Sequence, residues 1–517
     1  MLAALAAGVV TYLAVVAGPP PASTDVAAVV MPTCAADVWL TLGAGEKATV
    51  PSCTAPAVTA SGRGAVVEGW EALRRRNDGA PLGALVEALR REGDCVGADG
   101  PLAALAAADA TGRVAEYRAA APTCAVQLVE TVPSATTATV LALRVPRRLH
   151  LGALVTETVR PLTYRGTPKR PGLLTLPDVT RLLAPVGVGV RPYGTDGGDP
   201  ADLDRLANAR QRWNGFFVAG LISFPLLLLI ALWARRAVPS WLGVAVASYA
   251  PAGFVVGVLP WWRWGPLGAA LALLAVALAL TGLAYVLARR APELGLCAVV
   301  AAAFGVDLLG GQAMQRNGLA SYSMLTGGRF YGLGNLGFAV LATAVVVLAG
   351  SRRDPRAWLA ALVPLALLDA TVGYDFGGVV AVAAAGAAAF TRRLRAVLVA
   401  AVLGLVAALG VAYADSLRHE PTHLGRLFTD GDAAATIARK GGSALHTVYA
   451  TAWPLLVVGC AVGAWYLLRD RRELHDSARV VAVLLVVGSA VNDSGIVVAG
   501  GGLALATPLL VSYARRA

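Results

Sequence analysis

Residues 213–233 read WNGFFVAGLISFPLLLLIALW, an uncharged apolar run closed by Arg235-Arg236. About 20 such residues in a helix cross the hydrocarbon core of a bilayer. The same pairing of an apolar run with a short basic cluster recurs to the end of the chain. The clusters are Arg289-Arg290, Arg352-Arg353 with Arg356, Arg392-Arg393 with Arg395, Arg469 with Arg471-Arg472, and Arg515-Arg516. Under the positive-inside rule they mark cytoplasmic ends of spans. The run at 213–233 thus divides a polytopic α-helical membrane domain, 213–517, from a polar region before it.

Composition agrees. Of 517 residues, 57% are hydrophobic and only 15% charged, where about 25% charged is ordinary for soluble domains. A wholly soluble enzyme and a disordered scaffold are both excluded. The net charge of +12 would fit nucleic acid, but the excess sits between apolar runs and reports topology. The partner it implies is the lipid bilayer, not nucleic acid.

Residues 2–17 form another apolar stretch, without a basic lead, and read as a signal anchor or a signal peptide. Counted with the later runs, it gives about twelve transmembrane helices. Two runs, 358–368 and 377–390, are short; if they form a re-entrant pair the count is ten. An even number places both termini in the cytoplasm, with residues 18–212 and an amphipathic loop at 415–451 outside the plasma membrane. That loop carries Arg418, Arg426, Arg439 and Lys440 among Leu424, Leu427, Phe428, Ile437 and Leu445, a composition suited to lipid headgroups or an anionic substrate.

Residues 18–212 alternate β-type runs (65–67, 125–129, 139–145) with helical patterns (81–91, 178–183), which predicts an α/β domain. Four of the six cysteines, Cys34, Cys53, Cys95 and Cys124, fall here. An even number in an oxidising compartment suits two disulfides, with three connectivities open. Cys297 and Cys460 lie in apolar runs and read as packing residues.

Three polar, Gly-rich motifs fall on the outer side of this topology. They are Gly328-Arg329-Phe330-Tyr331-Gly332-Leu333-Gly334-Asn335, then Asp369 with Gly373-Tyr374-Asp375-Phe376-Gly377-Gly378, and Asn492-Asp493-Ser494-Gly495. Asp307, Gln312 and Arg316 lie near the same side. Ionisable groups at membrane depth are costly and mark sites or pathways, and Gly-interrupted helices free backbone groups for a ligand. Arg329, Tyr331, Asn335, Asp369, Asp375, Asn492 and Asp493 are therefore the substrate-binding candidates. Arg329 suits an anion, Tyr331 and Asn335 its orientation, and Asp375 and Asp493 a general base or ion ligand.

Other motifs carry less. Residues 332–337 satisfy G-x-G-x-x-G but precede a membrane span with no βαβ unit around them. His419-Glu420-Pro421-Thr422-His423 spells H-E-x-x-H, yet Pro421 interrupts the turn that would put both histidines on one face. Gly43-Ala44-Gly45-Glu46-Lys47 lacks Walker spacing. No metal and no cofactor is expected.

The quoted motifs, with Pro32-Thr33-Cys34-Ala35-Ala36-Asp37, Trp39–Gly45 and Thr422-His423-Leu424-Gly425-Arg426, resemble a group of actinobacterial multi-pass membrane proteins that pair an extracytoplasmic domain with a membrane domain. The polar region also resembles a degenerate alkaline-phosphatase-like domain, through Arg170-Pro171-Gly172-Leu173-Leu174-Thr175-Leu176-Pro177-Asp178. Active members of that superfamily hold two metals on Asp and His ligands around a Ser or Thr nucleophile. Here His150 is the sole histidine before 419, and no Asp-Gly metal site follows the first apolar segment. The resemblance implies a binding or structural remnant in place of a hydrolase. Three functions remain open: a membrane protein binding or transferring an anionic cell-envelope substrate such as a lipid-linked precursor, a transporter or flippase coupled to H⁺ or Na⁺, and a non-catalytic envelope scaffold.

Overall fold

In a computed structural model the chain forms two compact units, Met1–Gln211 with Ser323–Phe330, and Arg212–Tyr322 with Tyr331–Ala517. The structure describes residues 11–17, 22, 27–30, 32, 34–77, 80–131, 139–145, 150–156, 163–165, 170, 172–183, 191–194, 199–234, 238–326, 332–352, 354–373, 376–417, 433–492 and 494–516.

The first unit is built on an eight-stranded sheet. Across it the strands run Leu173–Thr175, Ala27–Val30, Gly152–Thr156, Thr139–Val145, Thr11–Ala17, Val126–Val129, Val96–Asp99 and Glu116–Tyr117. All point one way except Gly152–Thr156, which is antiparallel to both neighbours. Helices α1 (Ala35–Ala44), α2 (Trp70–Arg76), α3 (Ala84–Arg91), α4 (Pro101–Ala107) and α5 (Leu176–Leu183) accompany it. Helix α1 is buried along nearly its whole length, so its sequence, AADVWLTLGA, shows little amphipathic contrast. The Thr180 hydroxyl donates to the Leu42 carbonyl at 2.8 Å and fastens α5 to α1. Cys34 is bonded to Cys53, and Cys95 to Cys124.

One expectation is overturned at the centre of this sheet. Thr11–Ala17, assigned above to an apolar anchor or signal segment, is a strand paired in parallel with Val126–Val129 and Thr139–Val145. Its Leu13, Ala14 and Val15 are buried in the core. A parallel strand covered on both faces reads as a continuous apolar run, with no alternation to betray it. The α/β unit accordingly begins before residue 18, and the count of twelve loses its first member. Residues 2–10 lie outside the described residues.

The second unit is helical. After α6 (Pro200–Trp233), which begins in the first unit, come α7 (Ser240–Val255), α8 (Gly265–Leu287), α9 (Pro292–Leu309), α10 (Ala313–Asn317) and α11 (Asn335–Gly350). Helix α12 (Pro355–Leu368) continues into a π-helical turn, Asp369–Gly373, and α13 (Phe376–Phe390) follows. The remainder are α14 (Leu394–Ser416), α15 (Ala433–Ala450), α16 (Trp453–Leu468), α17 (His475–Val491) and α18 (Ile496–Arg516). Among the described residues seven helices are long and apolar enough to cross a membrane, or eight if the bent pair α15–α16 is one span; α11 and the segment Gly377–Phe390 are shorter apolar helices. Leu267, Leu271, Leu274 and Leu278 form an exposed stripe on α8. In water that surface would be a large unfavourable patch; against lipid tails it costs nothing.

Consecutive helices run to and fro, so the start of α9, the ends of α11 and α13, the start of α17 and the end of α18 share one end of the bundle. There the buried carboxylate of Glu293 accepts from Ser512 at 2.5 Å and pairs with the Arg516 guanidinium. Nearby in the bundle, Arg479 donates to the Ala388 carbonyl at 2.9 Å and pairs with Asp476 at 3.2 Å.

Candidate functional site

The opposite end of the bundle gathers the end of α9, the starts of α11 and α13, and the turn between α17 and α18. The segment after α9 is held first. Asp307 accepts the backbone N–H groups of Met314 at 2.7 Å and Gln315 at 3.3 Å, capping α10. Both of its oxygens are thereby engaged, so Asp307 supports the loop. Gln312, at φ +65°, turns its side chain to accept the N–H of Gly332 at 2.7 Å. The chain just after Tyr331 is pinned by that bond.

Gly332-Leu333-Gly334 leads directly into α11, so this Gly-rich stretch opens an apolar helix. Asn335 is the first helical residue and is 1% exposed. Its amide donates to Ser494 Oγ at 2.6 Å. The Tyr322 hydroxyl lies 3.3 Å from the same oxygen. Two residues earlier in the turn, the buried Asn492 donates to the Gly488 carbonyl at 3.1 Å. Its side chain lies flat on Gly377, where an added Cβ would sit 2.6 Å from Nδ2. Any side chain at 377 would force the Asn492 amide to move.

Residues from all three motifs thus meet: Asn335 from the first, Gly377 from the second, Asn492 and Ser494 from the third. Beside them lies Gln315, buried, its Oε1 facing Gly337 in the first turn of α11. Its Nε2 has no hydrogen-bond partner among the described residues. A buried amide donor left over next to a helix start keeps hydrogen-bonding capacity that the described residues do not use.

Of the seven candidates, Asn335 and Asn492 are in this cluster. Asp369 opens the π-helical turn after α12; π-helical turns recur at functional sites because the wider turn interrupts the regular bond ladder. Arg329, Tyr331, Asp375 and Asp493 lie outside the described residues. Sequence reading passed over Tyr322, which sits in an irregular segment with no flanking pattern, and gave Ser494 no role beyond its place in a motif. Among the described residues no group of three or more His, Cys, Asp or Glu is placed to hold a metal ion.

In the sheet unit, His150 Nδ1 lies 2.8 Å from Asp204 Oδ2, and Asp204 Oδ1 accepts the Leu151 N–H at 2.8 Å. This pair ties the start of α6 to the strand Gly152–Thr156. Residues 418–432, with the H-E-x-x-H sequence, lie outside the described residues. Comparison with protein-family models, with curated proteins and with solved structures returns no match to this chain.

Proposed function

We propose that this is a plasma-membrane protein whose helical unit binds an anionic, lipid-linked cell-envelope substrate at the end of the bundle where Asn335, Gly377, Asn492 and Ser494 meet. That meeting of three distant motifs is the observation that carries the reading. Arg329, two residues before Tyr331 in the first motif, supplies the bidentate cation for a phosphate or carboxylate. Tyr331 and Asn335 orient it, and Asp375 and Asp493 act as general base or ion ligand.

The basic clusters support a topology with this end outside and Arg290, Arg392, Arg469 and Arg516 inside. Crossing helices would be α6, α7, α8, α9, α11, α12, α13, α14, α16, α17 and α18, an odd number once the first apolar segment is a strand. The two disulfides support an oxidising compartment for the sheet unit. We take that unit as a binding module.

One observation favours a transport variant. The π-helical turn at Asp369–Gly373 interrupts the path from α12 to α13, and interrupted helices carrying carboxylates are a carrier's means of binding a coupling ion. The test is envelope-lipid profiling of a deletion strain complemented with wild type, Asp493→Asn or Arg329→Lys. The reading requires both variants to fail at normal membrane abundance. Full complementation by both would end it, and loss of function that tracks a pH or Na⁺ gradient would select transport.

A further inference from the structure

We propose that Gly441–Ala450, the second half of α15, is a membrane-surface helix seated by its apolar face in the lipid leaflet, from which it roofs the Asn492–Gly495 turn. The inference rests on the reading that α16 crosses the bilayer. The axis of Gly441–Ala450 is bent by 76° from that of Trp453–Leu468. A helix that leaves an upright span at nearly a right angle runs along the membrane surface.

Its side chains are sorted for that position. Leu445, Val448 and Tyr449 are 63%, 42% and 71% exposed. At about 100° per residue they share one face, while Ser443 and Thr447 fall on the opposite one. No part of this chain among the described residues covers the apolar face. The same kind of surface continues down α16, where Leu455, Val458, Val462 and Trp465 are also exposed. One occupant satisfies both helices, and that occupant is the lipid leaflet. Arg439 and Lys440 immediately precede the segment, which matches the anionic headgroups at that depth.

The edge of the helix rests on the site. Gly495 adopts φ +49°, and an added Cβ there would lie 3.1 Å from Ala444 Cβ. Gly495 follows Ser494, the acceptor for Asn335. A roof embedded in the leaflet places the mouth of the site among headgroups, so a lipid-linked anion reaches it laterally and a free soluble anion does not.

The test uses the full chain reconstituted in vesicles of phosphatidylcholine and phosphatidylglycerol, with an environment-sensitive NBD probe at Leu445→Cys, Tyr449→Cys, Ser443→Cys or, on the span, Val458→Cys. Cys297 and Cys460 are buried, and the unsubstituted protein measures background labelling. The expected result is several-fold stronger quenching by doxyl lipids than by aqueous iodide at 445, 449 and 458, and the reverse at 443. If 458 is in lipid but 445 and 449 are open to iodide, the surface-helix proposal fails and the face is free for a protein partner. If 458 is itself open to iodide, the crossing of α16 fails, and the proposal with it.

Discussion

Asn335 Nδ2 donates to Ser494 Oγ at 2.6 Å across 159 positions of chain. The bond joins the first residue of α11 to the turn that precedes α18. Asn335 is almost fully buried, so the donor has no recourse to bulk water if the hydroxyl is removed. Ser494→Ala should therefore destabilise the protein by about 0.5–1.5 kcal/mol, the net worth of one intramolecular hydrogen bond. Its effect on function should be larger than on stability, because the turn would no longer be registered against α11. Thermal unfolding in detergent and complementation of a deletion strain measure the two separately. A Ser494→Ala protein that is unchanged in both would show the bond to be incidental.

The two disulfides close short loops, with partners 19 and 29 residues apart. Each should contribute about 3 kcal/mol to the sheet unit by restricting its unfolded chain. Mass mapping without reductant should recover the Cys34–Cys53 and Cys95–Cys124 peptides, while Cys297 and Cys460 alkylate only after unfolding. Recovery of Cys34 linked to Cys95 or Cys124 would refute the pairing.

Glu116 gives the sheet unit a defined acid response. Burial alone would raise its pKa, but the N–H groups of Cys124 and Thr123, the Gln127 amide and the Thr123 hydroxyl outweigh it and hold the carboxyl at about 2, against an ordinary 4.5. A depressed folded-state pKa adds stability above the unfolded value and loses it as pH falls through the folded one. The contribution should be full above pH 4.5 and disappear towards pH 2. Hydrogen exchange at Thr123 and Cys124, corrected for intrinsic rates, should show protection falling across that window in the wild type. In Glu116→Gln protection should be low throughout, with no inflection. A wild-type profile that is flat from pH 5 to 2 would contradict the assignment.

At the far end of the bundle, Arg516→Ala should be costly. It leaves Glu293, 5% exposed, with Ser512 as its remaining side-chain partner among the described residues. Glu293 is buried but Arg516 is partly open to water, so breaking the pair from the Arg516 side costs about 1–3 kcal/mol, whereas replacing both partners by apolar residues costs less. The double variant Glu293→Leu/Arg516→Met should therefore unfold at a higher temperature than Arg516→Ala alone. The opposite order would mean that the pair itself supplies the stability.

How much of this could be read from residues varies with the physics. The run at 213–233 needs only length and apolarity, and it emerges as the apolar part of α6. The segment at 2–17 fails on the same criterion, because a strand buried on both faces is as apolar as a span; the β-branched and aromatic cluster Val9-Val10-Thr11-Tyr12 with Val15-Val16 was the available counter-signal. The π-helical turn at Asp369 is invisible to a period-3.6 reading. For the site, Asn335, Gly377 and Asn492 were legible as polar or Gly residues interrupting apolar runs. Their mutual contact was not, since it depends on helix ends that meet only in the packed bundle. Tyr322 had no local pattern to announce it, and the approach of Ala444 to Gly495 joins segments far apart in sequence.

The central claim is that the three-motif cluster holds an anionic, lipid-linked ligand, and the most direct measurement is native mass spectrometry of the protein purified in mild detergent from its own membrane. The account predicts a bound anionic lipid-linked species on the wild type, reduced at least about tenfold, a difference of about 1.4 kcal/mol, in Asn492→Ala and Asp493→Asn at equal folded yield. Wild type and both variants carrying the same lipids in the same proportions would contradict it.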